Sequence, residues 1–174
     1  MNQLPPPYYY GLSSLLFIIS ALKSIYSSKL ILYKISNCVL IFASYLCNST
    51  NNKIYFFFDY ITICSICFSY LNHYIINGIL ISSLIYEYNK TTRIVNTKNI
   101  SFGLAITKAI YNTYILLNNT YTIILVICVI SGIVSYEIRY YLLNNNIHNY
   151  TLFLTWWLHF SIMCLLYIIS LTAV

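Results

Sequence analysis

Long apolar runs alternate with short polar clusters along the whole chain, and no proline follows Pro7, so the runs are free to form helix. A bilayer-spanning helix needs ~20 residues at ~1.5 Å rise each. By that measure the pattern predicts helices at roughly 9–26, 30–47, 54–72, 74–88, 101–117, 121–141 and 151–172. Residues 54–88 would make a single rod of about 50 Å, well beyond the hydrocarbon thickness. Asn72, His73 and the pair Asn77-Gly78 offer the break, which leaves 74–88 as a short span or a re-entrant piece. Between helices, Asn89–Asn99 is the longest polar stretch and is expected to lie outside the hydrocarbon. Asn118-Asn119-Thr120 and Asn144-Asn145-Asn146 mark the last two turns.

The fold class expected is therefore all-α, a polytopic transmembrane bundle of about seven helices, or six if one segment fails to cross. No repeat or linker divides the chain, so residues 1–174 read as one integral membrane domain. The opening MNQLPPP has no positive n-region, and Ala21-Leu22-Lys23 does not resemble a signal-peptidase site, so the first apolar segment is expected in the mature protein.

Composition sharpens this picture. Hydrophobic residues make up 60% of the chain and charged residues 7%, whereas a soluble domain carries about 25% charged residues. Nine Lys and Arg against three Asp and Glu give a formal charge of +6. The basic residues are scattered and form no dense run, which excludes a nucleic-acid partner and leaves membrane lipids as the expected one. The two sides of the bundle would hold Lys23, Lys29 and Lys34 against Lys53, Lys90, Arg93, Lys98 and Arg139, a balance that sets no orientation. Six cysteines lie in or beside apolar runs, and the CxxC of Cys64 and Cys67 lacks the second pair or the soluble context of a metal or redox motif, so packing is their expected role. Acceptor sequons at Asn48, Asn89, Asn99, Asn118 and Asn149 carry little weight in so Asn-rich a chain.

Candidate chemistry centres on Asp59, one of three acidic residues, inside the run Ile54–His73. An intramembrane carboxylate is costly and by default marks a functional site. At ~100° per residue Asp59, Thr62, Ser69 and His73 form one polar stripe, interrupted by Ile66. Ser44 and Asn48 share a face near the end of the second helix, close to where the third begins. In a seven-helix count the final helix starts on the same side, bringing His159, four residues after Thr155, towards Asp59. His73 lies about 20 Å along its helix from Asp59, and His148 falls in an Asn-rich turn. Glu87 with Lys90, and Glu137 with Arg139, read as interfacial anchors, and Lys108 as a snorkelling side chain.

The order Ser44-x-x-x-Asn48, Phe58-Asp59-Tyr60-Ile61 and Thr155-x-Trp157-x-His159 resembles the seven-helix superfamily of alkaline ceramidases, adipoQ-type receptors and haemolysin-III-like proteins. That superfamily carries Ser-x-x-x-His on the second helix, an early Asp on the third and His-x-x-x-His on the last, its three His binding zinc. Residue by residue, Ser44, Asp59 and His159 match, whereas Asn48 and Thr155 stand at the other two ligand positions. The resemblance thus implies a degenerate member. An intact site would hydrolyse a lipid amide, with Ser44 and Asp59 as catalytic groups and His159 as a zinc ligand. The alternative is a non-enzymatic membrane protein, such as a viral or organellar packing subunit, whose polar residues fix helix contacts.

Overall fold

The computed structural model describes residues 7–27, 30–50, 52–91, 95–145, 147–148 and 150–172. The first two prolines, Lys29, Arg93, Asn146 and Asn149 lie outside the described residues. The architecture is all-α. Helix α1 (Pro7–Leu12) opens on a proline, whose fixed φ suits a first helical position. A 3-10 turn over Ser13–Leu16 joins it to α2 (Phe17–Ser27), and the three together make the first rod. Six long helices follow: α3 (Ile31–Ser49), α4 (Lys53–Leu71), α5 (Tyr74–Thr91), α6 (Val95–Leu116), α7 (Asn119–Asn144) and α8 (Thr151–Thr172).

Asparagine punctuates the rods. Asn52 and Asn118 accept backbone N–H groups of Ile54 and Tyr121 at 3.0 and 3.1 Å, capping α4 and α7. The long run over 54–88 breaks at Asn72, which takes the left-handed conformation (φ 47°) and donates its N–H to the Phe68 carbonyl at 3.1 Å. Asn77-Gly78, the other expected break, lies inside α5. Of the polar stretch expected as a loop from Asn89 to Asn99, the first three residues belong to α5, which runs on to Thr91, and the last five to α6, which starts at Val95. The start of α6 is held by Glu87, whose two carboxylate oxygens accept the N–H groups of Asn96 and Thr97, each at 2.8 Å. A carboxylate borrowed from the preceding helix satisfies first-turn donors that α6 cannot satisfy itself. Glu87 thus serves as a helix cap, a role its spacing to Lys90 did not announce, and Lys98 belongs to a helix rather than to a loop.

The rods alternate in direction. Tyr10 and Thr151 hydroxyls meet at 2.9 Å near the starts of α1 and α8, and Tyr70 and Thr172 hydroxyls at 3.0 Å near the ends of α4 and α8. The first rod, α4 and α8 therefore run the same way, and α6 joins them because Lys98 faces Tyr60 while Lys108 faces Tyr70. Side by side, α2, α3, α4, α6, α7 and α8 close into a ring, each touching the next and α8 returning to α2. Helix α5 stands outside, against α6 with a slight contact to α4.

Polarity is arranged inside out. Among the described residues, five helices are long and apolar enough to cross a bilayer: Tyr9–Ser27, Ile31–Ser49, Ile54–Leu71, Asn119–Asn144 and Thr151–Thr172. The most apolar of them, α7, with mean hydropathy 2.1, has 17% of its span buried. In a water-soluble bundle the most apolar helix would be the most buried. Here isoleucines such as Ile31, Ile79 and Ile123 face outwards while Ser20, Ser24, Asn37, Thr113 and Thr155 are enclosed, the distribution expected of helices solvated by lipid. Enclosed hydroxyls donate back along their own helices, Thr62 to the Phe58 carbonyl and Ser69 to those of Ser65 and Ile66, so these two members of the polar stripe are satisfied structurally. Its fourth member, His73, is exposed between α4 and α5. All six cysteines are free thiols, and Cys64 and Cys67 are packed in the interior.

Glycine positions give a direct test of the packing. A Cβ on Gly11 would collide with Ser49 Oγ and stand 3.0 Å from the Tyr45 carbonyl oxygen, so α1 and α3 touch at a position where a side chain would force Ser49 to move. A Cβ on Gly78 or Gly103 meets nothing within 4 Å. Thermal unfolding in detergent should therefore show Gly11→Ala destabilising by about 1–3 kcal/mol. Gly78→Ala and Gly103→Ala should each stabilise by up to ~1 kcal/mol.

Candidate functional site

The helix ring holds a partly open cavity of about 400 Å³, within the range of small-ligand sites. Ser44, Asn48, Asp59 and His159 all line it. The convergence expected from connectivity is thus realised by four side chains on three helices. Thr155 is not among the lining residues; fully buried, its hydroxyl donates to the Thr151 carbonyl at 2.8 Å.

The walls are strongly polarised along the ring axis. Asn48 near the end of α3, Asp59 near the start of α4, Lys98 and Asn99 near the start of α6, Glu137 and Arg139 near the end of α7, and His159 in the first half of α8 occupy one end. Towards the other end the lining passes through Ile63, Phe102 and Leu165 to Ile66, Ile106 and Ile169. Asp59 is six residues into its helix, about 9 Å from the end, and 9% exposed. Its Oδ1 is buried with no hydrogen-bond partner among the described residues, and so is Arg139 Nε. Lys98 Nζ lies 4.3 Å from the centre of the Tyr60 ring, a cation–π contact on the α4 side of the cavity.

Ser44 and His159 are held from the first rod. Ser14 Oγ donates to Ser44 Oγ at 3.0 Å, and Asn48 Nδ2 donates to the Ser44 carbonyl at 2.8 Å. Ser13 Oγ sits 2.5 Å from both the Tyr10 carbonyl and His159 Nδ1. A carbonyl can only accept, so the Ser13 proton goes to Tyr10 and His159 Nδ1 must be the donor towards Ser13. This assigns the Nδ1–H tautomer and leaves Nε2 with a lone pair. The Phe17 ring, 5.2 Å away, packs against the imidazole. The 3-10 turn carrying Ser13 and Ser14 thus orients two of the candidate residues, a role that no spacing signal in the sequence announces.

Zinc does not fit these donors. A zinc site needs three or four good ligands, and among the described residues no group of three or more His, Cys, Asp and Glu side chains is placed to hold a metal. Thr155 is committed to a carbonyl, and Asn48 donates its amide to Ser44. The arrangement suits binding of a polar group by two cations, two carboxylates and an imidazole acceptor.

Sequence reasoning missed Lys98 and Arg139 as cavity residues. Lys98 was expected in a polar loop and Arg139 at an interface beside Glu137, whereas both line the cavity together with the exposed Glu137. The signal that could have found them is position: each is a cation within about two turns of a helix end that shares one end of the bundle with Asp59. Comparison with protein-family models, with characterised proteins and with solved structures finds no match to this chain.

Proposed function

We propose that this is a multi-pass integral membrane protein whose helix ring binds a membrane lipid, and that it resembles the ceramidase and adipoQ-receptor superfamily in plan while lacking its zinc hydrolysis. One observation carries this: a single cavity joins a charged end, formed by Asp59, Lys98, Arg139 and His159, to an apolar end within a bundle whose outer surface is itself apolar. Such a shape matches a molecule with a polar head and a hydrocarbon chain. Ser44 and Asp59 then act as head-group contacts rather than as catalytic groups, and His159 as an acceptor rather than a metal ligand.

The test is made on protein purified in mild detergent. A lipid should be retained through native mass spectrometry and be lost in Ala105→Phe, which fills the buried wall at Ala105. Zinc should be substoichiometric, and ceramide should not be cleaved. Stoichiometric zinc that disappears in both Asp59→Ala and His159→Ala would replace this reading by the hydrolase.

A second reading has its own support. The bonds Ser13–His159, Ser14–Ser44 and Tyr10–Thr151 all tie the first rod to α3 and α8, as they would in a structural subunit whose polar residues only fix helix contacts. On that reading the cavity retains no lipid.

A further inference from the structure

We infer that the cavity selects a single-chain amphiphile whose head group combines a phosphate with a primary ammonium, the phosphate facing Arg139 and Lys98 and the ammonium facing Asp59. This rests on the lipid-binding reading above and names the ligand class for it. Its starting point is the pair of orphaned atoms. Arg139 Nε is a buried donor without an acceptor, and Asp59 Oδ1 is a buried acceptor without a donor. Each such atom is a cost to the fold while unsatisfied, so a ligand that completes both gains twice. Arg139 stands on α7 and Asp59 on α4, and both face the charged end of the cavity. A purely anionic head would leave Asp59 unsatisfied and set beside it a second negative charge. A purely cationic head would do the same to Arg139 and Lys98. A head bearing both charges answers all three.

Chemistry narrows the class further. A guanidinium and an ammonium are the side chains that recognise phosphate oxygens, the first with directed N–H groups and the second as a point charge. A carboxylate oxygen that lacks a hydrogen bond calls for a charged N–H donor. A primary ammonium offers three, whereas a quaternary ammonium of equal charge offers none. Away from these groups the lining is mainly apolar, with Ile66, Ile106, Leu166 and Ile169, and suits one acyl chain. Glu137, which also lines this end, is exposed.

Three probes of identical acyl chain distinguish the possibilities: lysophosphatidylethanolamine, lysophosphatidylcholine and monoacylglycerol, each titrated into delipidated full-length protein in detergent and followed by intrinsic Trp and Tyr fluorescence or calorimetry. The ethanolamine lipid should bind at least about tenfold more tightly than the choline lipid, a difference of about 1.4 kcal/mol. Monoacylglycerol should bind more weakly than either. Asp59→Asn should erase the ethanolamine preference while keeping phosphate binding, and Arg139→Gln should weaken both phospholipids towards monoacylglycerol. Should Asp59→Asn fail to fold, the wild-type ratio decides alone. Equal binding of the ethanolamine and choline lipids to wild type overturns this inference and leaves lipid binding standing. If none of the three binds, lipid binding itself falls and takes the inference with it.

Discussion

Replacing Lys108 by methionine should lower the stability of the bundle by about 2–4 kcal/mol, although the substitution makes the surface more apolar and keeps the length of the side chain. Lys108 Nζ donates to the carbonyls of Tyr70 and Leu71 at 2.7 and 2.8 Å. These are the last residues of α4, where carbonyls have no intrahelical donor. A lysine on the neighbouring helix thus supplies charge-assisted bonds of about 1.5–3 kcal/mol each and places its charge at the negative end of the α4 dipole. Nearby, Asn77 donates its amide to the Phe68 carbonyl at 2.9 Å, completing the cap from the other side of the break. In methionine the two carbonyls lose their donor within a largely buried corner, since Tyr70 and Leu71 are 2% and 8% exposed. Thermal unfolding in detergent measures the effect. A change below ~0.5 kcal/mol would mean that the amine spends its time in the interface and the α4 terminus is satisfied by water.

Lys108 also illustrates what could be read before the fold was known. The positions of the helices were legible because apolar run length and asparagine punctuation are local, and six of the seven expected segments begin within two residues of an observed helix. The seventh, α6, starts six residues early because its first turn is capped by Glu87 from another helix, which no local pattern encodes. The meeting of Ser44, Asn48, Asp59 and His159 was legible for a topological reason: alternating rods bring the end of one helix and the start of the next to the same membrane side. The faces of long cationic side chains were not. Lys98, Lys108 and Arg139 each have an apolar stem that permits an inward or an outward path. Their direction is decided by which neighbour carries an unmet carbonyl, an aromatic face or a cavity, and that neighbour is known only once the ring has closed. The exclusion of α5 from the ring is likewise a property of contacts, although its limited length had already made it the weakest span.

Asp59→Leu should raise stability by about 1–2 kcal/mol and abolish the ethanolamine preference, a combination that separates the two functional readings. A buried carboxylate with an unpartnered oxygen is a net cost to folding, and leucine of similar volume would bury apolar surface in its place at ~25 cal/mol per Å². Lys98, which shares the cavity wall, keeps its contact with the Tyr60 ring when the carboxylate is gone. Positions retained against stability are those where a ligand supplies what the protein omits. His159→Leu should behave oppositely, losing about 1–3 kcal/mol, because His159 Nδ1 already has its partner in Ser13 and removal leaves that hydroxyl with one bond fewer. If polar residues served only to fix helix contacts, both substitutions would destabilise, since Asp59 would then be one more interhelical tie. Denaturation of the two variants side by side, in the same detergent and without added lipid, reads the sign of each change. A stabilised Asp59→Leu beside a destabilised His159→Leu identifies Asp59 as a group held ready for a ligand and His159 as one already fixed by the fold.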